Sequence, residues 1–204
     1  MKNDKKDALI QRQVDALGIP PIEMFKAELA REERKEAHLK LLLKVLICVA
    51  LSAAAIILIT NLLVTVLQIE GISMHPLLEA NEIVIALKTD NPDRNDIIAF
   101  NHNNQLHVKR VIAIAGDKVV IDENGVVSVN SQKLDEPYVT ELSLGVCNIE
   151  FPFHVPAGTV FVLGDNREQS MDSRDSEFGV IRKDQIIGRV TFSIWPLPRF
   201  GGVK

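Results

Sequence analysis

From Val45 to Leu67 the chain carries no charged residue, and this run limits its fold more than any other feature. At 1.5 Å per residue a helix of that length reaches about 34 Å, enough to cross the hydrocarbon layer with some tilt. Ser52, Thr60, Asn61 and Thr65 are its only hydrogen-bonding side chains besides Cys48. A buried helix of a soluble domain usually keeps one polar face. A cleaved secretory signal begins near the N-terminus and ends in a small-residue site; here a charged stretch precedes the run and no Ala-x-Ala closes it. The sequence therefore predicts a transmembrane helix over 45–67.

The flanks orient it. Arg31, Arg34, Lys35, Lys40 and Lys44 precede the run, whereas Glu70, Glu79 and Glu82 follow it before Lys88, the first base. The positive-inside bias places residues 1–44 in the cytoplasm and residues 68–204 outside, in a single-pass protein of the cytoplasmic membrane whose surroundings include the lipid bilayer. Ile22 to Lys44 is rich in helix formers, with favourable spacings such as Glu36 and Lys40. A net charge of −4 without a basic stripe argues against nucleic acid as a partner.

Beyond the run the pattern changes to short β-branched segments divided by Gly, Pro, Asn and Asp. Strands are expected at 82–87, 96–100, 106–115, 118–121, 126–129, 159–163 and 187–194, with Asn124-Gly125 marking a hairpin. The fold class expected is mainly β, one N-terminal transmembrane helix followed by an extracytoplasmic β-sheet domain. Two cysteines exclude a disulfide framework, and no Cys or His pair has zinc-ligand spacing. No metal and no cofactor is expected.

Three segments bear chemistry. Gly164-Asp165-Asn166-Arg167-Glu168-Gln169-Ser170-Met171-Asp172-Ser173-Arg174 concentrates fixed hydrogen-bonding groups behind the apolar Val160–Leu163. Upstream lie Ser73, in Ser73-Met74-His75-Pro76, and Lys109, in Lys109-Arg110 with Gly116-Asp117 after it. A serine needs a neighbour to take its proton, and a lysine can serve only when burial keeps it neutral. Strand alternation would put Lys109 on one face with Val111, Ala113 and Ala115, and Arg110 on the other. It does not decide which face is inside, so a charge on an edge strand remains the plainer alternative.

In order and in detail these segments resemble the bacterial type I signal peptidases, membrane serine proteases of the Ser/Lys dyad class. The match includes Ser73, Met74 and Pro76, then Lys109, Arg110, Gly116 and Asp117, then every specified position of the third box from Gly164 to Arg174. The resemblance implies a β-sheet catalytic domain of signal-peptidase type with a short insertion at about 118–155. It also implies that the protein removes signal peptides from exported preproteins, its substrate partners, by cutting after small residues near the outer membrane surface. Ser73 would be the nucleophile and Lys109 the general base. Ser170 would orient the lysine amine, Arg110, Asp165, Asp172 and Arg174 would brace the site, and the Ser73 backbone N–H would meet the oxyanion. Ile69, Met74, Leu78 and Val108 would line the substrate pockets by correspondence, though ordinary core residues would look the same. The alternative for these four residues is a surface ion-pair network, with structural bracing the main expectation for the two arginines.

The chain departs from the family pattern at Gly71, where many members add a serine hydroxyl to the oxyanion site, at Leu77 in place of threonine, and at Ala115 in place of proline. His107, two residues before Lys109, is a competing base. A silent binding domain would not need Ser73, Lys109 and Ser170, and the soluble self-cleaving regulators that share the dyad lack a membrane span. His75 and Met74 are expected against lipid headgroups.

Overall fold

The computed structural model describes residues 12, 13, 16, 18 and 22–203. The chain divides into two compact units, 1–58 and 59–204. Helix α1, Ile22–Leu63, is continuous, and its most apolar stretch has a mean hydropathy of 2.8, long and apolar enough to cross a membrane. Its polar half carries the ion pairs Lys35–Glu32 and Lys40–Glu36 one turn apart. The helix stops four residues short of the expected Leu67. Val64–Gln68 is strand β1, pairing antiparallel with β2 (Ile83–Leu87) from Val64 opposite Leu87 to Gln68 opposite Ile83. Hydropathy alone cannot mark this boundary, because Val64, Thr65 and Val66 are β-branched residues that suit a strand as well as a membrane helix.

Two antiparallel sheets follow. The larger runs β1–β2–β11–β3–β4–β9–β10, with β3 at Ile97–His102, β4 at Gln105–Ile114, β9 at Thr159–Leu163, β10 at Ile181–Arg182 and β11 at Ile186–Trp195; a short β12, Gly201–Gly202, also pairs with β11. The smaller sheet, β7–β6–β5–β8, uses Lys118–Ile121 (β5), Val127–Val129 (β6), Gln132–Lys133 (β7) and Phe153–His154 (β8). All seven expected strands are present within two residues of their expected ends. Asn124-Gly125 does sit in the β5–β6 hairpin, but only Gly125 of the two takes a positive φ (79°), where its N–H closes a turn on the Asp122 carbonyl. This is the longer loop with one left-handed residue, which a glycine supplies without steric cost.

Strand β4 positions the site. It lies between β3 and β9, and Val108 to Ala113 are all buried, so Lys109 is on an interior strand and the edge-strand alternative is excluded. The expected alternation is interrupted: a bulge between Val111 and Ala113 shifts the pairing with β9, so Val111 packs with Ile98 and Phe100 while Ala113 joins Phe161 and Leu163 in the second core cluster. Ala115 lies beyond the strand and is exposed.

Candidate active site

Lys109 is 3% exposed, and its Nζ donates to Ser170 Oγ at 3.1 Å. Burial, which disfavours an ammonium, lowers its pKa from 10.5 to about 8; the nearby Arg174 charge acts the same way, and Asp172 and Asp165 oppose it. Across the strand pair it faces Ile98.

Ser73 reaches the same neighbourhood through the backbone. It occupies a turn in which the His75 N–H donates to the Ile72 carbonyl and the Leu78 N–H to the Met74 carbonyl. Its own carbonyl accepts from the Asn166 N–H at 3.0 Å, and Asn166 Nδ2 donates to the Ile72 carbonyl at 3.3 Å. Gly164 explains how the boxes fit together. A Cβ on this residue would strike Ser170 Oγ and the Ser73 carbonyl oxygen, so only glycine lets the strand end of β9 approach both at once.

A small cleft of about 40 Å³ opens beside Ser73, lined also by Gln68, Ile69, Glu70, Met74, Leu106, His107 and Val108. Ile69, Met74 and Val108 thus stand around it, and Leu78, fully buried, packs in the same core cluster as these three. Met74 is only 2% exposed, which removes it from any lipid contact; its thioether fills the core behind the serine. His107 rests on the aromatic rings of Phe100 and Phe178, with centroids 5.8 and 5.4 Å away, and burial lowers its pKa, with Lys109 and His102 adding to the effect.

The acids and arginines are not a surface network. Arg110, Asp165, Asp172 and Arg174 are each 1% exposed. Arg110 forks onto Asp165 (Nε to Oδ1 2.9 Å, Nη2 to Oδ2 2.7 Å), and Arg174 forks onto Asp172 (2.8 and 2.9 Å). The planar guanidinium suits such paired acceptance, and a buried charge tolerates little else. Asp172 Oδ2 also accepts the Gly164 N–H at 3.0 Å, which ties the ion pair to the glycine between Ser73 and Ser170.

Several partners escape a reading of the motifs alone. Glu136 accepts from both Arg167 terminal nitrogens, while Arg167 Nε donates to the Gly164 carbonyl at 3.1 Å. Asn95 accepts from Arg110, whose guanidinium lies 3.7 Å from the Tyr138 ring centroid. Arg174 donates to the Leu144 carbonyl at 2.7 Å and the Ser143 carbonyl at 3.2 Å. These residues lie 15 to 31 positions away in sequence from the groups they hold, with no local pattern that would mark them.

Comparison with known proteins places the chain in a family. The profile of the family described as signal peptidase, peptidase S26, matches residues 40–195. A signal peptidase IB of Staphylococcus aureus strain N315 is 36% identical over 181 residues, covering 79% of this chain and 93% of the relative. A signal peptidase I of Bacillus caldolyticus is 39% identical over 148 residues, covering 65% and 80% respectively. Among solved structures, a signal peptidase I from Enterococcus faecalis V583 shares 32% identity with a TM-score of 0.41, covering 50% of this chain and 97% of that one. The chain belongs to the bacterial type I signal peptidases of peptidase family S26. It is a serine endopeptidase, membrane-anchored through the apolar helix α1.

Proposed function

We propose that the protein removes signal peptides from exported preproteins by a Ser73/Lys109 dyad, cutting after small residues at the outer face of the cytoplasmic membrane. The observation that carries this reading is the sealed Lys109 amine, held by Ser170 and with its pKa near 8. At pH 7 a group with that pKa is neutral in about a tenth of molecules, against well under one in a thousand for a free lysine. Substrate or lipid covering the cleft would exclude more water and favour the neutral amine further.

The neutral Lys109 amine takes the proton of Ser73 Oγ as that oxygen attacks the scissile carbonyl carbon. The resulting oxyanion is met by the Ser73 backbone N–H, which the turn fixes in advance. The ammonium then returns its proton to the departing amine, which becomes the new N-terminus of the mature protein. Water, activated by the same lysine, releases the signal peptide carboxylate from Ser73. Ser170 keeps the amine in one rotamer, and Arg110, Asp165, Asp172 and Arg174 hold the frame around it.

Specificity for small side chains is supported by the cleft of about 40 Å³ between Ile69, Met74 and Val108. A cleft of this size, walled by branched and thioether side chains, suits a small side chain better than a long one. The charge asymmetry around α1 supports a single-pass arrangement with the N-terminus in the cytoplasm and the β domain outside.

Incubating the purified full-length protein with a preprotein and sequencing the new N-terminus tests the reading. A cut after a small residue at the signal-peptide end, absent with Ser73→Ala, is expected. A cut elsewhere, or equal cleavage by Ser73→Ala, rejects it.

A further inference from the structure

The loop that carries Ser73 is closed at its base by backbone bonds: the Ile69 N–H donates to the Glu82 carbonyl, and the Asn81 N–H to the Ile69 carbonyl, both at 2.8 Å. Within the loop, Asn166 holds the carbonyls of residues 72 and 73. The opposite flank of the turn is held from the far end of the chain. Arg199 Nη2 donates to the carbonyls of Pro76 at 3.0 Å and Leu77 at 2.5 Å, and its Nη1 donates to Glu79 Oε1 at 3.0 Å. Its Nε lies 3.2 Å from the buried Glu82, whose Oε2 accepts the Glu79 N–H. That approach is an ion pair too poorly angled to count as a hydrogen bond.

We propose that Arg199 is a positioning residue for the nucleophile, a clamp that sets the Ser73 turn from the C-terminal side as Asn166 sets it from the other. The proposal rests on the reading of Ser73 as nucleophile. Arg199 sits in a short 3-10 turn, Leu197–Arg199, between β11 and β12, and β12 pairs Gly201 with Ser193 and Gly202 with Phe192. The turn is thereby anchored to the central sheet, and its guanidinium is presented at a fixed height over the loop. One guanidinium spans two carbonyls and two carboxylates. A lysine keeps the positive charge opposite Glu79 and Glu82 but, as a point donor on a flexible stem, does not hold both carbonyls in one plane. A displacement of the turn moves Ser73 relative to a lysine fixed independently on β4, and small misplacements of reacting groups are expensive in rate.

The test compares full-length wild type, Arg199→Lys, Arg199→Ala and Ser73→Ala on a quenched fluorescent peptide with alanine one and three residues before the cut. Arg199→Lys keeps its melting temperature while kcat falls by about tenfold to a hundredfold and KM stays within about twofold, as expected for misplaced reacting groups. Arg199→Ala loses more, and free guanidinium at concentrations too low to unfold the protein restores part of its activity where sodium chloride does not. The side chain is 30% exposed, so the ion can reach the vacated place. Wild-type kcat in Arg199→Lys beside an inactive Ser73→Ala overturns the clamp and leaves the dyad standing. So does a loss that disappears when the assay is cooled well below the melting temperature. Activity in Ser73→Ala overturns the reading beneath it.

Discussion

Lys109 Nζ and Ser170 Oγ meet at 3.1 Å in a site where each residue is 3% exposed. A lysine so enclosed is costly to the fold while it is charged, and the proposed role as a base depends on that cost.

The cost is measurable. The folded pKa, about 8, lies below the unfolded value of 10.5, so between these two values the unfolded chain binds more protons and stability rises with pH. Below about pH 8 the full penalty applies. Lys109→Met, which keeps the shape and removes the charge, is expected to be more stable than wild type at pH 7 by about 1–3 kcal/mol, and to lack the rise between pH 8 and 10. Denaturant unfolding at several pH values measures both.

Gly164→Ala adds a single methyl group where Ser170 Oγ and the Ser73 carbonyl already stand. Either the serines separate or β9 shifts, and activity is expected to fall by about a hundredfold or more because the dyad and its orienting hydroxyl lose their common geometry. A variant with kcat near wild type would show that the close approach is dispensable.

Asp165→Asn leaves the Arg110 guanidinium buried with its neutralising charge gone and one amide oxygen where two carboxylate oxygens accepted. A destabilisation of about 3–5 kcal/mol is expected, the usual cost of breaking a buried pair. The double variant Arg110→Met, Asp165→Leu removes both charges and should recover much of that loss in thermal unfolding, without recovering full activity. Equal losses in the single and double variants would mean that the pair contributes packing and little electrostatics.

Much of this architecture is legible in the sequence because the relevant signals are local. The β-branched runs and their Gly and Asn breaks locate seven of the eight described strands longer than two residues, all but β1, and the dense polar run from Gly164 to Arg174 announces a framework. What the sequence hides is long-range or conformational. The change from α1 to β1 at Val64 falls inside an unbroken apolar run, and the bulge after Val111 disturbs an alternation that looks regular on paper. Glu136, Asn95 and Arg199 are ordinary polar residues outside the strands, and only the fold brings them to Arg167, Arg110 and the Ser73 turn. The brief β7, β8, β10 and β12, two residues each, are too short to carry any periodicity.

His107 lines the Ser73 cleft and is the competing candidate base. Its stacking on Phe100 and edge contact with Phe178 suit a wall of the cleft, and His107→Ala is expected to retain most of the cleavage rate while shifting the preference among small side chains. Competition between peptides with alanine, glycine or serine before the cut measures that preference; loss of all cleavage would reassign the base.

The most direct measurement is the pH dependence of kcat/KM in wild type, Lys109→Ala and His107→Ala. A neutral lysine base predicts an acid limb centred near pH 8 in wild type, preserved in His107→Ala, with no cleavage in Lys109→Ala. Cleavage that survives in Lys109→Ala, or a limb in the ordinary histidine range that vanishes with His107, would contradict the account.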